Sequence, residues 1–316
     1  MRDDLPPHTA PSAVINHDLP ERVGCNRASF APVLPAAMPA AQGAGLVDQA
    51  LIAYACGPEH PAKIRVLHWL IRRLTSGRLR VRYAAGAPIT IDPADYIGWS
   101  ILRTGSYEPA SLGLALQLMT ASPGLFVDVG ANIGWFSCAA AALPGSRVVA
   151  IEPDCGNCSA LRANLADLPN AIVVNAAAGA DFSMVGLGRR SPGNSGTVAI
   201  SSGQADLGVT PHQWTATAPL DAILRRVATP PEQPALMKID VEGFERDVLR
   251  GLDFDGLFRP RNIIMEYTVH AEESWGGLAG VEEFFAARGY EVLDVFGHGL
   301  NHSIEPPESN IWARER

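Results

Sequence analysis

The ten residues Leu125 to Gly134, L-F-V-D-V-G-A-N-I-G, constrain the fold of this chain more than any other stretch. Leu125, Phe126 and Val127 run into Asp128, a turn built on Gly130, Asn132 and Gly134 follows, and Trp135 to Leu143 is apolar and Ala-rich. That is a strand, a tight turn and a helix in sequence order. The glycines permit positive φ and close approach of a ligand to the backbone. The helix N-terminus leaves N–H groups free above the turn. The stretch therefore reads as a cofactor cradle. It departs from the dinucleotide pattern G-x-G-x-x-G, because Asp128 stands at the first glycine and Asn132, which tolerates left-handed geometry, takes the middle position. A carboxylate there disfavours a pyrophosphate and suits a ligand with positive charge and donor groups. S-adenosylmethionine (SAM) carries an ammonium, a sulfonium and a ribose diol.

Around the cradle the pattern is β/α. Strands are expected at 125–129, 147–151, 171–175, 235–241, 262–267, 290–296 and 310–313, with helices between most of them. Such alternation implies a mostly parallel sheet covered on both faces. No helix separates the last two strands, which predicts an antiparallel edge pair. Residues 183–219 break the rhythm with short β-like pieces and form an insertion. Upstream, residues 46–122 read as an extension of helices and one β-hairpin around Gly86. Basic residues Lys63, Arg65, Arg72 and Arg73 flank an apolar helical stripe there and read as a solvated face. Residues 1–45, rich in Pro and Ala without periodicity, are expected to be a disordered or loosely packed arm. The SAM-binding domain is placed at 123–316.

Composition narrows the class. A hydrophobic content of 47% with 18% charged residues supports a sizeable core. The formal net charge of −8 argues against a nucleic-acid binder. No apolar run approaches the roughly 20 residues of a transmembrane segment. The start M-R-D-D-L-P-P lacks a signal core, and five cysteines without framework spacing fit a reducing compartment, so a cytoplasmic protein is expected.

Ligands of open α/β sheets bind beyond the carboxyl ends of the strands, so the polar residues there are the candidates. The second strand ends in Glu152, at about the 20-residue separation where an acid accepts from ribose hydroxyls. The fourth carries Lys238, Asp240 and Glu242 at alternate positions, hence on one side of the strand. Three charges in an apolar strand need partners, and Lys238 is expected to pair with a carboxylate on a neighbouring strand. The fifth strand carries Glu266, with His270 just beyond.

D-V-G-A-N-I-G (128–134), I-E-P (151–153), P-L-D-A-I-L (219–224), K-I-D-V-E-G-F-E (238–245) with V-L-R-G (248–251), and I-M-E-Y (264–267) together resemble the FkbM family of SAM-dependent methyltransferases. G-S-Y-E-P (105–109) and G-N-S-G-T (193–197) match its pattern too, so the resemblance spans roughly residues 80–315. It implies a class I methyltransferase (Rossmann-like) fold and O-methylation of a hydroxyl on a sugar, glycan or secondary metabolite. By matching position, Asp128, Gly130, Asn132 and Gly134 would surround the methionine part of SAM, Glu152 the ribose, Ala176 or Ala177 the adenine, and Glu108 the amino-acid end.

Methyl transfer to an alcohol benefits from a base. Asp240, Glu242 and His270 are the candidates; Asp240 leads and would also face the cofactor. A divalent cation held by Asp240 and Glu242 is the alternative, disfavoured because no complete ligand set is visible. Arg189, Arg190, Asn194, Ser195 and His212, in the insertion, are expected in a substrate-facing lid. Cys155 and Cys158 (C-G-N-C) have no second pair or nearby His and carry no zinc or redox expectation. His298 and His302 read as surface residues. The expected partner is a small-molecule or glycan acceptor. The competing functions are a nicotinamide-dependent oxidoreductase, disfavoured by Asp128, and a non-catalytic SAM- or glycan-binding module.

Overall fold

The computed structural model describes residues 45–58, 60, 62–81, 88–190, 194–201, 210–228, 231–267, 275–302 and 306–316. These belong to the compact unit Ala31–Arg316. The predicted arm, apart from Gly45, lies outside the described residues, as does His270.

The extension contains helices α1 (Leu46–Cys56) and α2 (Lys63–Leu74), strands β1 (Leu79–Val81) and β2 (Ile89–Ile91), and helices α3 (Tyr96–Thr104) and α4 (Pro109–Ala121). β1 and β2 pair antiparallel, as the alternation predicted. Local chemistry sets the helix starts. Asp95 caps α3, its side chain accepting from Ile97 N at 3.1 Å. α4 begins with Pro109, whose missing N–H costs nothing at that position. Its free donors at Ala110 and Ser111 both reach the Glu308 carboxylate at 2.8 Å, almost 200 residues away in sequence.

The alternating part follows: β3 (Leu125–Val129), α5 (Trp135–Ala141), β4 (Arg147–Ile151), α6 (Cys155–Leu165), β5 (Ala171–Val174), β6 (Ala177–Gly179), β7 (Ser183–Arg189), β8 (Val198–Ser201), β9 (Gln213–Pro219), α7 (Leu220–Val227), β10 (Pro234–Ile239), α8 (Glu245–Arg250), β11 (Asn262–Glu266), a helix at Gly277–Ala286, β12 (Tyr290–Asp294) and β13 (Asn310–Glu315). The main sheet has seven strands in the order β12-β13-β11-β10-β3-β4-β5. β13 runs antiparallel to both of its neighbours, and the other strand pairs are parallel. The last two strands thus pair antiparallel as expected, with β13 on the inside and β12 at the edge. Burial explains the order: Asn310 to Ala313 are buried, whereas Glu291 to Asp294 stay half-exposed, which suits an edge.

Alternate residues of each strand feed two apolar layers. Phe126, Val148, Leu236, Ile264 and Trp312 pack under α1–α6 on one face. Val127, Val149, Met237, Ile263 and Ile311 pack under α7, α8 and the helix Gly277–Ala286 on the other. The extension therefore shares its core with the sheet. From β3 the chain moves outward through β4 and β5, then returns to the other side of β3 through β10 and β11. The crevice at this reversal is the expected ligand site. The antiparallel strand inside the sheet also departs from the dinucleotide-binding strand order 3-2-1-4-5-6. The insertion builds a second sheet, ordered β6-β9-β7-β8.

Candidate active site

The turn after β3 is held by an acid from the next strand. Asn132, at φ +50°, donates its backbone N–H to Glu152 Oε2 at 2.9 Å. Glu152 Oε1 accepts from Asp154 N at 2.8 Å. Glu152 is 4% exposed, and burial pushes its carboxyl up to about 8. Each oxygen keeps a second acceptor site for a ligand. Gly130, at φ +82°, lies flat against the next turn: a Cβ there would sit 1.8 Å from the Asp240 carbonyl oxygen. Gly134, at φ +93°, abuts Leu161. Asp128 is 2% exposed and accepts from Ser137 Oγ at 2.6 Å, tying strand to helix. Burial pushes it up to about 6.

At the tip of β10 the charges interlock. Lys238 Nζ lies 2.6 Å from Asp240 Oδ2, 3.8 Å from Glu108 Oε2 and 4.5 Å from the Phe136 ring centroid. Its nearest carboxylate is therefore on its own strand, not the neighbouring one that was expected, because residues 238 and 240 point the same way. Burial pulls the Lys238 ammonium down, but Asp240, Glu108 and Asp128 outweigh it and hold the group charged. Glu242 adopts φ +57°. Arg190 clasps it, Nη2 donating to its carbonyl at 2.9 Å and Nη1 to Oε2 at 3.2 Å. Burial, then Asp240, push Glu242 up to about 8. Glu245, buried, accepts from Gly243 N at 3.0 Å and Val241 N at 3.2 Å, which fixes the turn. Oxygens of Asp240, Glu242 and Glu266 lie within 4.8 Å of one another. Burial and these neighbours hold Glu266 above the usual carboxylate range, and its Oε2 has no hydrogen-bond partner among the described residues. Burial and the same acids raise the Tyr107 hydroxyl.

Between these two turns lies an open cleft. Asp128, Gly130, Asn132, Glu152, Ala176, Ala177, Asp240 and Glu242 all line it. Two predicted residues do not line it. Gly134 packs against Leu161, and Glu108 stands behind Lys238, with Asn310 Nδ2 3.3 Å from its Oε2. Glu108 has its carboxyl raised by burial.

The insertion splits. Ser195 lies over the glycine turn, its carbonyl accepting from Asn132 Nδ2 at 3.0 Å and Asn157 Nδ2 at 3.2 Å. Its N–H and Oγ are both held by Asp95 of the extension. Asn194 Oδ1 accepts from Gly196 N, shaping this loop. Arg190 reaches the acidic end. Arg189 and His212 instead meet Asp154, at 3.8 and 3.0 Å. Burial alone would raise Asp154, but Asn157 N–H, His212 and Arg189 hold it low. Cys155 is exposed and Cys158 buried, both as free thiols. His298 pairs with Asp294 and His302 with Glu282, both histidines being exposed. The sequence reading gave no role to Asp95, Tyr107 or Glu245. Asp95 carried the usual cap signal, and the other two sat inside recognised motifs.

Residues 128–292 match the family model described as the methyltransferase FkbM domain. No functionally curated protein matches the chain. Among solved structures, precorrin-6y C5,15-methyltransferase from Geobacter metallireducens GS-15 is 14% identical, covering 65% of this chain and 88% of its own, with a TM-score of 0.35. M. jannaschii TYW2, in complex with AdoMet, is 12% identical over 69% of this chain and 76% of its own, TM-score 0.36. The O-methyltransferase from Bacillus cereus, in complex with SAH, is 14% identical over 65% and 80%, TM-score 0.34.

Proposed function

As this chain belongs to the FkbM methyltransferase family, we propose that it methylates a hydroxyl oxygen of a small-molecule or glycan acceptor, using SAM, with Asp240 as the base. The observation that carries this reading is the contact between Gly130 and the Asp240 carbonyl, which sets a carboxylate beside the cofactor turn. The donor set fits SAM. Asp128, Glu152, Asp240 and Glu242 all line the cleft, which suits an ammonium, a sulfonium and a diol. Glu152 would hold the ribose through its remaining acceptor sites. Asp128, Gly130 and Asn132 would hold the methionine part, with Gly134 shaping the helix start behind them. Ala176 and Ala177 leave room for the adenine, and Glu108, standing behind Lys238, would help position that ammonium instead of touching the cofactor. When bound, SAM supplies an electrophilic methyl on a sulfonium. The chain's own part is to align the acceptor oxygen and exclude water. As the oxygen attacks the methyl carbon, the C–S bond breaks, the C–O bond forms, and Asp240 takes the hydroxyl proton. Glu242, clasped by Arg190, stands next in line as base.

The three neighbouring carboxylates do not require a metal on this reading. Lys238 already occupies Asp240 Oδ2, and Arg190 occupies Glu242 Oε2. Methyl transfer is therefore expected to be unchanged by EDTA, measured as production of S-adenosylhomocysteine. Loss of turnover that magnesium restores would replace the base with a metal-bound hydroxyl.

The raised carboxyls give a second test. Asp128 stands at about 6, Glu245 at about 7, and Glu152 and Glu242 at about 8, all above the ordinary 3.8 to 4.5. The folded chain thus keeps protons that the unfolded chain has released. Their contribution to stability is full below about pH 4 and is lost as pH rises through 6 to 8. The unliganded melting temperature should fall over that interval. The rise caused by SAM should grow over it, as acids facing the cation ionise, while NAD causes none. A rise caused by NAD, or a SAM effect flat with pH, contradicts the assignment.

A further inference from the structure

The α2 helix, K-I-R-V-L-H-W-L-I-R-R-L, has an outer face that the site does not use. Leu67 and Ile71 are buried in the layer over the sheet. Opposite them Trp69 is 62% exposed, with Val66 beside it at 36%. Arg65, Arg72 and Arg73 are exposed around it. Positions 65, 69, 72 and 73 fall on one helical stripe, so the indole sits amid three guanidiniums. No acidic residue occurs in α2 of this chain of net charge −8. None of the three arginines has an ion-pair partner among the described residues. Leu46 and Val47, at the start of α1, which packs with α2, are exposed as well.

A solvated helix face accounts for the arginines but not for an indole and a valine left in water among them, with two more aliphatic side chains exposed at the start of the neighbouring helix. We propose that this α1–α2 face docks on an anionic membrane surface. The guanidiniums would pair with headgroup phosphates and carboxylates, and Trp69 with the aliphatic residues would enter the headgroup–acyl boundary. Nucleic acid also offers phosphates and stacking bases, but the exposed Val66 beside the indole, with Leu46 and Val47 on α1, favours lipid. The face is joined to the site. The His68 ring lies 3.2 Å from the Pro93 carbonyl oxygen and edge-on to Trp99 of α3. Asp95, which caps α3, holds the Ser195 loop over the cleft.

The test uses the full chain in sedimentation with vesicles of phosphatidylcholine alone or mixed with phosphatidylserine, beside a titration with single-stranded RNA. Binding is expected only to the anionic vesicles and should weaken as salt rises. Trp69→Ser, and R65E, R72E and R73E together, should each reduce it at least about tenfold. Both variants should keep the wild-type melting temperature and its rise with SAM, which separates this result from failure of the cofactor assignment. No sedimentation with anionic vesicles, equal binding to neutral ones, binding that survives the arginine changes, or a preference for RNA would overturn the proposal.

Discussion

Asp240→Asn lowers kcat by about 10²- to 10⁴-fold, the usual contribution of a positioned base, while the affinity for SAM changes by no more than about threefold. The reasoning runs through what asparagine keeps. It has the same shape, and its carbonyl oxygen still accepts from Lys238, now 2.6 Å from Asp240 Oδ2. The Asp240 backbone remains against Gly130, so the turns keep their contact. What disappears is the capacity to take a proton from the acceptor hydroxyl. Glu242→Gln serves as the comparison, because Glu242 is already held by Arg190 and should cost less. The measurement is single-turnover methyl transfer alongside calorimetric binding of SAM. If both quantities fell together, Asp240 would be a cofactor ligand and not the base. If neither fell, the proton would go elsewhere, with Glu242 the first place to look.

The parts of this design legible in the sequence are those encoded locally. The β3 turn reads as a cradle because strand, glycine and helix signals follow one another within ten residues. Glu152 and Asp240 could be named because strand ends in a parallel sheet converge on one edge. What stayed hidden depends on residues far apart. Glu308 caps α4 from the other end of the chain, and no local pattern reports that. Asp95 grips Ser195 across 100 positions. A charge in an apolar strand needs a partner, which points to a neighbouring strand for Lys238, yet the closest oxygen is two residues further along its own chain, just past the end of β10. β9 escaped individual notice because Q-W-T-A-T-A-P mixes small residues with a weak alternation. The burial that pairs these groups exists only once the sheet has formed. The acids then stand above their ordinary range because water has been removed, a property that a list of residues does not contain.

Gly130→Ala is the second large effect and acts on stability and binding together. The position is at φ +82°, which costs a side-chain-bearing residue roughly 1–3 kcal/mol. The new Cβ would lie 1.8 Å from the Asp240 carbonyl oxygen and 2.8 Å from its carbon. Both atoms are backbone, so no flexible side-chain end can swing away. The β3 and β10 turns must part, which adds roughly 1–3 kcal/mol of overpacking. For a chain of this size the sum corresponds to a fall in melting temperature on the order of 10 °C. Separation of the two turns also spoils the alignment of Asp240 with the cleft, so residual turnover should drop further than unfolding accounts for. Gly113 is the control. It lies inside α4, and a Cβ there would meet nothing within 4 Å. Gly113→Ala should therefore stabilise the protein by about 0.5–1 kcal/mol and leave methyl transfer unchanged. Melting curves and SAM titration of the two variants, side by side, decide the matter. Wild-type stability and affinity in Gly130→Ala would mean that the turns do not touch as described, and the placement of Asp240 beside the methyl group would lose its support.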